Sequence, residues 1–196
     1  MQTIEVVGFK RANLGKKDAK DLRLEGNVPA VLYGGEEQVH FYAPAYLFRD
    51  LVYTPNVYFV KLNIEGTEYK AVLQDTQFHP VSENLLHADF LLVNDDKPMK
   101  MELPVVFEGS SPGVAVGGRL VTKLRKIKVK ALPNALPDNI KVDISTLELG
   151  KSVKVGEVPV EGLEILNNPT ISIATVEIPR ALRSKQSAGE DGSEEA

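Results

Sequence analysis

The chain has 196 residues, of which 43 % are hydrophobic and 26 % charged, as in ordinary globular proteins and unlike wholly disordered ones. Its formal net charge of −4 excludes a uniformly basic surface but allows a local basic patch. The absence of cysteine excludes disulfides, thiolate metal sites and cysteine nucleophiles. An acidic residue at Glu5 and the lack of long apolar runs lead us to expect neither a signal peptide nor a membrane span.

Strand patterns dominate the first half of the chain. Residues rich in β-branched and apolar side chains predict strands at 2–7, 28–33, 58–64 and 69–73, the last two joined by a hairpin turn at 65–68. Two segments favour short helices instead. Residues 16–24 lie between two glycines, and residues 44–52 begin with a proline and carry apolar side chains at helical spacing.

The second half is predicted to be almost wholly β. The polar segment 94–98 ends in proline and marks the best internal boundary, which predicts domains at 1–94 and 95–182. Strands are expected at 101–107, 125–132, 140–144, 152–155 and 170–178, in a sandwich or open barrel, with the glycine-rich run 109–118 as a flexible turn. Residues 183–196 cannot bury a core and predict a disordered acidic tail.

The positive charge of the first half is concentrated in one segment. Residues 8–23 hold six Lys or Arg side chains and only two Asp, although residues 1–94 together are acidic. A solvated surface is the usual explanation of such a run. Gly15 opens a short helix here, however, so backbone N–H groups and lysine side chains could instead converge on phosphates.

A second candidate constellation is Gln74-Asp-Thr-Gln77-Phe-His79-Pro, followed by His87-Ala-Asp89-Phe. His87 and Asp89 are two residues apart, so on a strand they share a face. Such a pair could bind a metal if His79 or Asp75 supplied a third ligand, take part in acid–base chemistry, or make a structural hydrogen bond. It could also face RNA, since imidazole donates to phosphate or bases and aspartate accepts from base amino groups.

A third candidate lies in the second half, where Lys126, Lys128 and Lys130 alternate with apolar residues. At a period of two these lysines line one face of a strand. The alternatives are a solvated outer face, a charged edge that deters aggregation, or a contact with RNA or a partner. The glycine-rich run 109–118 lacks the Gly-Lys-Ser/Thr ending of a phosphate-binding loop.

Several of these blocks together resemble a known family. Arg11, Gly15 and the basic helix up to Leu22-Arg23, the block Gly26-Asn-Val-Pro-Ala-Val-Leu-Tyr33-Gly, and the two histidine blocks keep the family's order and spacing. The chain resembles the bacterial large-subunit ribosomal protein that binds 5S ribosomal RNA, a family that includes general stress protein CTC, in its two-domain form. The second domain matches more loosely, through Gly113-Val-x-x-Gly117-Gly118 and Asp143-Ile-Ser-Thr-Leu-Glu-Leu-Gly150.

The resemblance implies a mainly β protein, with a small N-terminal β-barrel carrying two or three short helices and an all-β C-terminal domain. It also implies a structural role without catalysis or cofactor, in which the first domain grips the loop E region of 5S RNA at the central protuberance. Neighbouring ribosomal proteins and RNA are the other implied partners, the location is the ribosome in the cytoplasm, and no membrane or small-molecule substrate is expected. The implied RNA-binding residues are Arg11, Lys16, Lys20, Arg23, Tyr33, Gln77, His79, His87 and Asp89.

One departure from the family and two rival functions remain. Many relatives carry two adjacent arginines where this chain has Lys20-Asp21, which removes a bidentate fork and reverses one charge. The first rival function is that of a stress-regulated protein acting off the ribosome through its second domain. The other is a small metal-dependent hydrolase that uses His79, His87 and Asp89.

Overall fold

The computed structural model describes residues 2–160 and 162–179, so the predicted acidic tail at 183–196 lies outside the described residues. The chain divides into two compact units. One comprises Met1–Met101 and Lys130–Asp138, and the other comprises Glu102–Val129 and the chain from Asn139 onward. The mainly β fold class is confirmed, with a barrel first and a β-rich second unit.

The first unit is built on a closed six-stranded barrel in the order β1-β3-β2-β6-β5-β4. β4 pairs in parallel with β1 and closes the barrel, β2 pairs in parallel with β6, and the other neighbours are antiparallel. Closure leaves none of the six strands as an open edge. The strands are β1 (Thr3–Lys10), β2 (Asn27–Tyr33), β3 (Val39–Pro44), β4 (Phe59–Ile64), β5 (Thr67–Phe78) and β6 (Leu85–Leu92).

Alternation along these strands fills the barrel with apolar side chains. Phe41, Phe48 and Phe90 are fully buried, with ring centroids of Phe41 and Phe48 5.8 and 6.0 Å from that of Phe90. A Cβ at Gly8 would lie 2.7 Å from the Phe41 ring, so a side chain there would displace this ring from the core. Burial of each phenylalanine contributes roughly 1.5–3 kcal/mol.

Both predicted helices of the first unit are present. α1 (Lys16–Leu24) begins after Gly15 and ends before Gly26, whose φ of +81° is the left-handed conformation that glycine adopts without strain. The second helical segment consists of a 3-10 turn, Ala45–Phe48, that continues into α2 (Arg49–Val52). Leu51 and Phe48 from this segment pack into the barrel core.

The second unit contains two sheets. Four strands form a sheet in the order β10-β7-β9-β12, and three form another in the order β11-β13-β8. β7 and β9 span the division between the two units. The elements are β7 (Met99–Glu108), α3 (Pro112–Ala115), β8 (Arg119–Thr122), β9 (Lys126–Ala131), β10 (Ile140–Asp143), β11 (Ser152–Lys154), β12 (Glu164–Ile165) and β13 (Ser172–Glu177), with 3-10 turns at Pro133–Ala135 and Val155–Glu157.

The prediction of a flexible turn at 109–118 is wrong. Ser111 caps a helical turn at Val114 N, and the buried Ser111 hydroxyl also donates to the Leu147 carbonyl. A Cβ at Gly113 would come within 2.6 Å of the Glu148 carbonyl carbon, so the segment packs directly on the backbone of 147–149. The glycines here permit close packing of two backbone segments rather than flexibility.

Candidate nucleic-acid interface

The outer face of β5 and β6 carries the predicted histidine and aspartate pair. Ala88 and Phe90 point into the core, which leaves His87 and Asp89 on the outside of the barrel. Across the β5–β6 ladder, Gln77 lies opposite His87 and Asp75 lies opposite Asp89. The structure thus places three of the predicted site residues, His87, Asp89 and Gln77, on one polar surface.

Tyr33 belongs to the same surface. It is the last residue of β2, next to β6, and its side chain is half-buried. Burial raises the pKa of the Tyr33 phenol, and the charges of Asp89 and Asp75 raise it further. The raised pKa keeps the phenol protonated, and therefore a hydrogen-bond donor, well above neutral pH.

His87 and Asp89 interact directly. Nδ1 of His87 lies 2.6 Å from Oδ1 of Asp89, and the two side chains are 26 % and 29 % exposed. Even so, Asp89 Oδ1 accepts no hydrogen bond from any donor in the described part of the chain. The contact places the two side chains next to each other on the barrel surface and leaves Nε2 of His87 for an external partner.

Asp75 is a part of this surface that the sequence suggested only as a third metal ligand. It faces Asp89 across the ladder and accepts a hydrogen bond from its neighbouring backbone N–H, Thr76 N, at 2.8 Å. Directly opposed like charges destabilise a sheet, so both carboxylates benefit from external donors such as base amino groups. Recognising the β5–β6 hairpin would have revealed this residue, because the strand period pairs it with Asp89.

The basic face of α1 lies beside this surface. Lys16, Lys20 and Arg23 are spaced i, i+4 and i+7 and therefore share one side of the helix. Nε of Arg23 donates to the carbonyl of Leu86 at 3.0 Å, which fixes the end of α1 next to the residue preceding His87. Within the described residues, Lys16 and Lys20 form no ion pair, and both are exposed.

Arg11 has a different environment from the one expected of a phosphate contact. Its guanidinium binds Oδ2 of Asp18 through Nη2 at 2.8 Å and Nε at 3.3 Å, and its side chain is only 8 % exposed. Its backbone N–H also donates to the His40 carbonyl at 3.0 Å. The charge of Arg11 is paired and mostly covered in this structure, and its contact with RNA phosphate stays a prediction.

His79 lies in the loop beyond the last paired residues of β5 and β6. Its Nδ1 accepts hydrogen bonds from the backbone N–H groups of Val81, at 3.3 Å, and Ser82, at 3.1 Å. These bonds give the ring a role in shaping the turn. In the part of the chain that the structure describes, no three His, Asp or Glu side chains are arranged to hold a metal ion.

The lysines of β9 share one face, as predicted, but β9 is not an edge strand. Lys126 and Lys128 are exposed and Lys130 partly so, while Ile127 and Val129 are buried. β9 lies between β7 and β12, and Lys128 Nζ is 3.5 Å from a carboxylate oxygen of Glu102. The charged-edge explanation is therefore wrong, and a solvated or partner-binding face remains.

Comparison with known proteins gives consistent matches for both units. Residues 7–90 match the model of the Ribosomal L25p family, and residues 98–180 match that of the ribosomal protein TL5 C-terminal domain. A protein named large ribosomal subunit protein bL25 from Cytophaga hutchinsonii is 55 % identical, over 96 % of this chain and 98 % of its own length. Proteins of the same name from Amoebophilus asiaticus and Porphyromonas gingivalis are 52 % and 45 % identical, over 93 % of this chain and 93 % and 96 % of their own.

The two family matches and the closed barrel define the class of protein: a two-domain ribosomal protein whose N-terminal part is a β-barrel. The identity and the near-complete coverage then fix the family: the chain belongs to the bL25 family of large-subunit ribosomal proteins. Among residues 2–160 and 162–179, no helix is both long and apolar enough to cross a membrane.

Proposed function

We propose that the protein binds 5S ribosomal RNA, at its loop E region, and helps to build the central protuberance of the large ribosomal subunit. Family membership supports the coarser role, that of a non-enzymatic ribosome-associated protein in the cytoplasm with ribosomal RNA and proteins as partners. The assignment of 5S RNA rests on the resemblance of the N-terminal blocks. The side chains on the barrel surface would provide the contacts to phosphates and bases that this role requires.

One observation carries the proposal: the hydrogen bond from Arg23 to the Leu86 carbonyl holds a basic helix beside the polar face of β5 and β6. Lys16 and Lys20 on that helix would bind phosphates, which position a protein without reading sequence. Tyr33, Gln77, His87 and Asp89 on the neighbouring face would contact bases and riboses. Arg11 would support the helix through Asp18, and His79 would shape the adjoining loop.

The proposal also explains why an acidic pair belongs on a surface that meets RNA. Asp75 and Asp89 repel phosphates, but they accept hydrogen bonds from the exocyclic amino groups of guanine, cytosine or adenine. A widened minor groove, such as the resemblance implies for loop E, exposes such groups. The lysines would therefore bind phosphates, and the aspartates would bind the amino groups of bases.

The test is a titration of the whole protein against labelled 5S RNA, with a transfer RNA as the control for binding to any folded RNA. We expect 5S RNA to bind with an affinity at least tenfold higher, and nuclease protection to fall in loop E. Equal binding of both RNAs would mean that only charge attraction operates. Protection confined to another region of 5S RNA would contradict the assigned site.

A further inference from the structure

A second concave site lies at the end of the barrel next to the proposed interface. It is a cleft of about 350 Å³ between the end of α1, the start of β2, the helical segment at 45–53 and the β5–β6 loop. Its lining residues include Arg23, Asn27, Tyr53, His79 and Asn84. None of its lining residues carries a carboxylate, in contrast to the Asp75–Asp89 surface.

The cleft has an aromatic wall that is held in place but open to solvent. Tyr53 is 65 % exposed, and its ring packs at a tilt against Phe78, with centroids 6.3 Å apart. Its hydroxyl donates to the Glu83 carbonyl at 3.5 Å. A positioned, exposed aromatic ring is the surface on which proteins stack unpaired bases.

Two donors for an anion are fixed by backbone contacts. Because Nδ1 of His79 accepts from Val81 N and Ser82 N, its ring proton lies on Nε2, which is a donor. Nε of Arg23 is bound to the Leu86 carbonyl, while its Nη groups have no partner among the described residues. Guanidinium and imidazole N–H groups of this kind suit a phosphate.

We propose that this cleft binds one unpaired nucleotide of the RNA, with its base on Tyr53 and its phosphate on Arg23 and His79. The inference rests on the proposed function, since Arg23 also borders the polar face beside His87 and the same RNA strand can continue from one site to the other. Asn27 and Asn84 also line the cleft, and their amides would supply donors and acceptors for reading the base.

The protein has no tryptophan, so Tyr53→Trp creates a unique fluorescent reporter in the cleft. The matched control is Tyr46→Trp, because Tyr46 is a similarly exposed tyrosine, at 72 %, in the preceding 3-10 turn and outside the cleft. We expect 5S RNA to quench the fluorescence of Tyr53→Trp at one equivalent and to leave that of Tyr46→Trp unchanged. In addition, Tyr53→Ala should weaken binding about 5- to 140-fold, as loss of one stacked base predicts, and Tyr53→Phe should not.

The outcomes separate this inference from the proposed function. If wild-type protein binds 5S RNA but Tyr53→Trp shows no quenching, or both tryptophan variants respond alike, the nucleotide cleft is overturned and 5S binding stands. Quenching by free nucleoside 5′-monophosphates without quenching by RNA would make the cleft a site for a free nucleotide and also overturn the inference. If 5S RNA does not bind at all, both proposals fail. Should Tyr53→Ala lose its circular dichroism, the tryptophan arm alone decides.

Discussion

Arg11 and Asp18 form a two-point contact between the loop before α1 and the first turn of that helix. Both Nη2 and Nε of Arg11 bind the same carboxylate oxygen, at 2.8 and 3.3 Å. The carboxylate also lies near the positive end of the helix dipole, which favours it. Because Lys16 and Lys20 project from this helix, the contact determines where the basic face is presented.

Arg11→Ala should therefore act mainly on stability. Loss of a charged, mostly covered hydrogen-bond donor is expected to lower the free energy of unfolding by about 1.5–3 kcal/mol, measured by denaturant titration. Arg11→Lys should recover only part of it, since an ammonium cannot reproduce the planar fork. The salt dependence of RNA binding should stay the same, because the charge of Arg11 is already paired. A lower salt slope with unchanged stability would instead identify Arg11 as a phosphate ligand.

Lys16→Ala should behave in the opposite way. Lys16 is exposed at the start of α1, so its removal should leave the unfolding free energy unchanged within about 0.5 kcal/mol. It should reduce the slope of log affinity against log salt by about 0.7–0.9, the contribution of one phosphate contact. Lys61→Ala is the matched control, because Lys61 pairs with Glu68 on β4 and β5. If Lys16→Ala and Lys61→Ala had the same slope of log affinity against log salt, Lys16 would not contact a phosphate and the prediction for α1 would be wrong.

Tyr33 provides a pH-dependent test of the polar face. Its pKa is raised in the folded protein by burial first and then by Asp89 and Asp75. Its stabilising effect is therefore complete below the ordinary tyrosine pKa of about 10 and is lost as pH rises through the higher folded value. We expect wild-type protein to lose more stability than Tyr33→Phe above about pH 10 in thermal melts without RNA.

The charge of Asp89 can be tested in the same titration. Asp89→Asn should lower the pKa of Tyr33 towards its ordinary value, seen as the difference in tyrosinate absorbance between this variant with and without Tyr33→Phe. Subtraction is needed because the chain has six tyrosines. An unchanged Tyr33 titration would show that the phenol and the carboxylate are further apart than the structure indicates.

The first 94 residues should fold and bind 5S RNA without the rest of the chain. All six barrel strands and the candidate interface lie within residues 3–92. Truncation after residue 94 removes the pair between Lys70 and Asp95, but an exposed ion pair contributes roughly 0–1 kcal/mol. A longer fragment, ending at residue 101, retains Asp95 and shows whether the exact position of the truncation affects folding or binding. If both fragments fold but neither binds, the second domain must share the RNA contact.

Sequence patterns predicted the elements that carry strong local signals. Glycines at both ends located α1 to the residue, and alternation located β2, β9 and most of β4. β3, β6, β8 and the two-residue β12 were not predicted. β3 was missed because its pattern has a meaning only in the closed barrel. There Phe41 and Ala43 face the core, while His40 and Tyr42 are partly exposed on the outside. The parallel pairing of β1 with β4, which closes the barrel, also joins segments that are far apart in the sequence, so local patterns do not predict it.

In the candidate site, too, local sequence patterns predicted some features, and others depend on contacts between distant segments. His87 and Asp89 share a face because of strand periodicity alone, and the structure agrees. The pairing of Arg11 with Asp18 was not predicted, because six residues of loop and helix lie between them. Asp75 opposite Asp89 required the β5–β6 register, including its irregularity between Leu73 and Asp75. Contacts set by register or tertiary packing were therefore beyond the sequence patterns.

Asp89 distinguishes base reading from charge attraction. A carboxylate near phosphates costs Coulomb energy, so a non-specific binder should bind RNA more tightly without it. If Asp89 accepts from base amino groups and orients His87 through their 2.6 Å contact, Asp89→Asn should bind 5S RNA more weakly, by roughly 1–3 kcal/mol. The salt slope should not change, because no phosphate contact is lost.

A double-mutant cycle with His87→Gln separates the two roles of Asp89. If Asp89 acts only by orienting the imidazole, the double variant should bind as His87→Gln does, since the orienting group then has nothing to orient. If Asp89 also accepts directly from a base, the double variant should bind more weakly than either single variant. Circular dichroism and thermal melts must show that all three variants remain folded. A folded Asp89→Asn that binds 5S RNA as tightly as wild type, or more tightly, would show that the pair does not read the groove.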